Sequence, residues 1–143
     1  MGQLHNIERF TTPPEISDIE SLAREAYAHM PDELRDVASQ LKIEVQDFPS
    51  EYMMEAMDCE TPFEILGLYQ GVDRRSMTQQ SRELNEEKDT VFLFRRPILD
   101  FWCENGEDLN QVVRHVLIHE IGHYFGMSED DMDKMESRTV SLS

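Results

Sequence analysis

His119-Glu120-Ile121-Gly122-His123-Tyr124-Phe125-Gly126-Met127-Ser128-Glu129 is the stretch whose reading decides the fold. It is an HExxH pattern, then two spacers, a glycine, and a carboxylate at Glu129. In an α-helix, residues four apart stand one above the other on the same face. His119 and His123 can therefore grip one Zn²⁺ from a rigid surface. Glu120 lies about 100° further round the helix, poorly placed as a third ligand. It can still reach a water on the metal, which is the task of a general base. Gly126 is free to take the left-handed conformation that ends helices, so the chain turns there and Glu129 can swing back towards the metal. Val113, Leu117, Ile121 and Phe125 lie four apart on the opposite side and read as a core stripe. A helix buried behind and carrying two histidines in front is expected of a hydrolase site.

Two histidines need at least one more protein donor, with a further position left for water. Glu129 is the favoured third ligand, and Asp130 and Asp131 are the alternatives. The same acids also suit a helix start, with Ser128 as N-cap and Asp131 as the capping-box acid. His115 stands one turn before His119 and could pair with it, leaving His123 spare. The position of Glu120 and the glycine turn are organised around the later pair, so His115 reads as a supporting or surface histidine.

These residues carry a family resemblance. The run Thr-Val-Phe-Leu-Phe-Arg-Arg-Pro-Ile-Leu from Thr90 and the run Arg-His-Val-Leu-Ile-His-Glu-Ile-Gly-His-Tyr-Phe-Gly-Met-Ser-Glu-Asp-Asp-Met ending at Met132 resemble the small bacterial zincin-like family of possible zinc metallopeptidases. So do Pro62 to Val72, with their Gly-Leu-Tyr-Gln-Gly core, and the Pro-Asp-Glu-Leu of the amino-terminal half. The likeness runs from about Ile16 to Glu136. It implies a minimal zincin-like α+β fold, a small mixed or antiparallel sheet packed against the HExxH helix and further helices. It also implies His119 and His123 as zinc ligands, Glu120 as base and an acidic third ligand near Glu129. Members commonly carry aspartate at that last position. The polar stretch Asp73 to Lys88 also departs from the shorter, glycine-containing loop that members often have.

The chain of 143 residues is long enough for one domain with a proper core. A loose arm is expected over 1–12 and a single metallopeptidase domain over 13–143. Net charge −17 argues against nucleic acid and anionic membranes as partners, since phosphate binding needs clustered cations. It favours a cationic substrate or a basic partner. No hydrophobic run approaches membrane-spanning length, and the start Met-Gly-Gln-Leu-His-Asn-Ile-Glu is no signal peptide. Asn6 stands where N-myristoylation wants Ser or Thr. Cys59 and Cys103 have no zinc-like spacing to the histidines and are expected to stay reduced, which fits a bacterial cytoplasm.

Elsewhere, Ile16 to Met30 follow helical spacing up to Pro31, which can open a second short helix. Leu41, Ile43 and Val45 alternate like a half-buried strand. Ser50 caps a short helix in which Tyr52, Met53 and Met57 are expected to pack inward. Ile65 to Val72 reads as a strand weakened by Gly67 and Gly71. Its Gly67, Leu68 and Tyr69 could bind an extended peptide beside the zinc, or the segment is an ordinary edge strand. Asp73 to Lys88 should be a surface linker or a lid. Val91 to Phe94 should be a central strand, and Pro97 can open a helix that Gly106 ends. Arg95 and Arg96 are either solvated or paired with the acidic turn or a substrate carboxylate.

Two functions from different classes fit. One is a zinc peptidase in which Glu120 activates water. The other is a zinc-holding interaction module without turnover. A zinc amidohydrolase acting on a non-peptide amide cannot be separated from the first by sequence.

Overall fold

The computed structural model describes residues 12–71 and 89–142. Residues 1–11 of the expected arm and the polar segment Asp73 to Lys88 lie outside them. Among the described residues are six helices and three strands.

Helix α1 spans Ile16–Ala28. It starts at Glu15, whose backbone N–H donates to Asp18 at 2.7 Å in a capping box. Its inward stripe is Ile19, Leu22, Ala23 and Ala26. Pro31 stands just ahead of α2 (Asp32–Ala38), where a missing N–H costs nothing. Strand β1 (Lys42–Gln46) follows, then α3 (Glu51–Ala56), with the Ser50 side chain accepting from the Met53 N–H at 3.2 Å. Only Met53 of the three expected side chains is buried there; Tyr52 and Met57 face solvent. The reason is length, because a helix of 6 residues offers a single inward position per turn.

Strand β2 (Gly67–Gln70) is shorter than the predicted Ile65 to Val72, since turns occupy the chain just before it. β3 (Thr90–Phe94) runs directly into α4 (Arg95–Asn105). That helix begins two residues before Pro97, because the first turn has no N–H bonds for a proline to break. Gly106 then ends it at φ 66°. Helix α5 (Leu109–Phe125) begins after Asp108, and α6 spans Glu129–Leu142.

The sheet order is β1-β3-β2. β1 runs parallel to β3, with Ile43 opposite Val91. β2 runs antiparallel, with Leu68 opposite Phe92. The central position of β3 explains its unbroken apolar run, since both of its faces are covered. Val91 and Leu93 join the main core with Ile19, Leu22, Leu109, Leu117 and Ile121. Phe92 and Phe94 point to the other face, against Met53 and Leu68.

Helix α5 packs on α1, α4, α6, β2 and β3, so the histidine helix is the hub of the molecule. Val113, Leu117 and Ile121 are buried as the stripe predicts. Phe125 is instead exposed, because it is the last residue of a helix that has by then run past the core.

β2 approaches α5 closely enough to require a glycine. A Cβ on Gly67 would stand 2.6 Å from Val116 Cγ1 and 2.9 Å from the Phe92 carbonyl oxygen. The second neighbour is backbone and cannot yield. Gly67→Val is therefore expected to lose about 1–3 kcal/mol of stability through overpacking, read as a lower thermal midpoint. An unchanged midpoint would contradict the seating of β2 on α5.

Candidate active site

Three elements converge on one end of α5. The helix contributes His119, Glu120 and His123, the edge strand β2 contributes its backbone, and the first residue of α6 contributes Glu129. The turn between the helices follows from Gly126, at φ 69° and ψ 28°. Its N–H donates to the His123 carbonyl at 3.1 Å, and the Met127 N–H donates to the Gly122 carbonyl at 2.9 Å. These are the two bonds of a Schellman stop. They reverse the chain within a few residues of His123, and Met127 packs back against the core.

The three acids after the turn have separate partners. Asp131 caps α6: its N–H donates to Ser128 Oγ at 3.1 Å, and its carboxylate accepts from the Ser128 N–H at 3.4 Å. Asp130 pairs with Lys134 at 3.4 Å. Glu129 has Oε2 3.7 Å from His119 Nδ1. Among the three candidate third ligands, Glu129 is thus the one set beside an active-helix histidine.

Glu120 is the most firmly held of these side chains. Its Oε2 accepts the Tyr69 backbone N–H at 2.8 Å and lies 3.3 Å from His123 Nδ1. Why the Tyr69 N–H is available follows from the ladder. Phe94 donates to the Leu66 carbonyl at 2.9 Å, which marks those two residues as a hydrogen-bonded pair. Pairing alternates along antiparallel strands, so Leu68 and Gln70 point their backbone groups at β3. Gly67 and Tyr69 point theirs away from β3. The Tyr69 N–H that an added strand would use is therefore engaged by the carboxylate.

The other two residues expected to bind substrate sit differently. Leu68 packs on Phe92 and Phe94, on the far face of the sheet from α5, and Gly67 is pressed against the helix itself. The Tyr69 ring meets Tyr124 edge-on at 5.5 Å between centroids.

His115 is more engaged than a surface histidine. Its Nδ1 lies 2.7 Å from Glu136 Oε2, and its ring centroid is 4.3 Å from that of His119. Glu136 went unnoticed in the sequence. The signal available was its place one helical turn after Met132, a core residue of α6 that is buried against α5.

Arg95 is not directed to the acidic turn after Gly126. Its Nε donates to the Pro14 carbonyl at 2.6 Å and its Nη1 to Asp47 at 3.1 Å. Arg96 stacks over Phe48, 5.7 Å from the ring centroid. Both arginines are thereby tied to residues just after β1, and Arg95 also to the chain ahead of α1.

The model of the zincin-like metallopeptidase family matches residues 38–139. The chain belongs to that family. No curated protein matches it. The matched region begins at the end of α2 and takes in the sheet and the active helix, so among the described residues the zincin-like fold is a three-stranded mixed sheet with helices around it. Membership implies a bound metal, typically zinc.

The donor types fit such an ion, although the ligand atoms of His119, His123 and Glu129 are not gathered within 4.8 Å of one another. Neutral imidazole and carboxylate are zinc donors. His119 Nε2 is buried without a hydrogen-bond partner, a costly state for a polar atom unless something else takes its lone pair. Cys59 is a poor competitor for the metal. Partial burial, then the Glu64 and Asp58 carboxylates, push the Cys59 thiol above its ordinary range, away from the thiolate that metals prefer.

Proposed function

We propose that this zincin-like chain is a zinc-dependent peptidase. His119, His123 and Glu129 hold the ion, and Glu120 is the general base. The observation that carries the reading is the pairing of a buried, unpartnered His119 Nε2 with a neighbouring carboxylate fixed by main chain. When bound, zinc supplies Lewis acidity toward a carbonyl and a water acidic near neutral pH.

Glu120 takes the proton of the attacking water and returns it to the leaving amine. Its side chain is largely buried, and the Tyr69 N–H sets its orientation. Both features suit a base that must be aimed before substrate arrives. An extended peptide would lie across this end of α5, without adding a strand at the Tyr69 N–H that Glu120 already takes. The acidity of the chain favours basic peptides there. No helix of the described residues is long and apolar enough to cross a membrane, and we place the peptidase in the cytoplasm.

The test is metal analysis of the purified chain, followed by its action on a diverse peptide library with and without chelator. Stoichiometric zinc and chelator-sensitive cleavage of internal peptide bonds are expected. Zinc-replete protein that cleaves nothing would replace this reading with that of a zinc-holding interaction module.

A further inference from the structure

We propose that His115, His119 and Glu136 form a second divalent-cation position, one helical turn upstream of the HExxH pair and sharing His119 with it. One ligand atom from each of the three residues lies within 4.8 Å of the other two. Donors around a tetrahedral zinc stand roughly 3.4 Å apart when the bonds are about 2.1 Å long. The cluster is therefore a small side-chain adjustment from that spacing, and its His115–Glu136 edge is already at 2.7 Å.

The backbone holds these residues in register. His115 and His119 are one turn apart on α5, the same spacing as the downstream pair. Glu136 follows Met132 by one turn of α6, and Met132 is buried against Gly122 of α5. That anchor turns Glu136 towards the histidines.

An ion can also reach them. His115 and Glu136 stand in the wall of a cavity of about 380 Å³ that Glu107 and Arg114 also line. The two carboxylates offset the guanidinium. A plain ion pair between the helices would need only His115 and Glu136. It would not require a ligand atom of His119 to gather with theirs within 4.8 Å, as one does.

Sharing has a consequence. A neutral imidazole has one lone pair to give, so His119 serves one cation at a time. An ion upstream withdraws His119 from His123, so the two positions divide the bound metal by their relative affinities, and an ion upstream takes its chain out of the active fraction. This competition rests on the peptidase reading above; the binding itself does not.

The experiment uses the full chain stripped of metal and titrated with Co²⁺, followed by its visible absorption and by equilibrium dialysis. His123→Asn removes the downstream pair and leaves the cluster whole. His123 and His115 are both about half exposed, so substitution there spares the core. The His123→Asn protein should bind one Co²⁺ per chain. Adding Glu136→Gln or His115→Asn should weaken that binding by at least about 10-fold, no less than the loss of an outer partner of a metal ligand costs.

The proposal is overturned if His123→Asn binds no Co²⁺, or binds it with an affinity that neither added substitution changes. In cleavage assays at saturating Zn²⁺, Glu136→Gln should raise the activity per bound ion; unchanged activity removes the competition. A chain that cleaves nothing removes the peptidase reading and leaves the Co²⁺ titrations to decide the cluster.

Discussion

Glu120→Gln is expected to slow peptide cleavage by about 10²–10⁴-fold, the usual contribution of a positioned proton acceptor, while zinc content stays unchanged. The substitution is nearly isosteric. The amide oxygen of glutamine can still accept the Tyr69 N–H that Glu120 accepts at 2.8 Å, so β2 and α5 keep their contact and the thermal midpoint should barely move. What disappears is the basic lone pair facing the substrate side. Initial rates on one cleaved peptide, with metal analysis of the same preparation, separate the chemistry from the fold. A glutamine variant that turns over at the parental rate would show that another group takes the proton.

The second large effect belongs to His119. His119→Ala should leave the purified protein without stoichiometric metal, and its affinity should fall by more than the roughly 10–100-fold that loss of an outer partner of a ligand costs. Alanine deletes the only imidazole common to the downstream pair and the upstream cluster. The upstream cluster survives His123→Ala, and the downstream pair survives His115→Ala. Competition against a chromophoric chelator measures all three. If His119→Ala binds zinc as tightly as the parent, the metal is held elsewhere and both assignments fail. The side chain is about one-fifth exposed, so its removal leaves the core beneath the helix in place.

Much of this architecture could be read from sequence because local chemistry sets it. The Gly126 stop and the Ser128–Asp131 capping box involve residues within a turn of each other. The central place of β3 was legible because Val91 to Phe94 are apolar on both faces. What escaped depends on residues far apart in the chain. Glu136 meets His115 across two helices, and no periodicity in either segment names the other. Arg95 finds Asp47 and Pro14 through the parallel pairing of β1 with β3, which a reading of each strand alone does not fix. The exposure of Phe125 was missed because a helical stripe says which side is apolar, not where the core ends.

The contact between Glu120 and Tyr69 uses a peptide N–H, and this changes what variation at position 69 can do. Any residue but proline supplies the same donor, so that side chain can drift in size and polarity while the catalytic carboxylate keeps its aim. Preference for one peptide over another is then free to diverge at 69 independently of rate, with Tyr69→Pro as the single replacement that would uncouple the two.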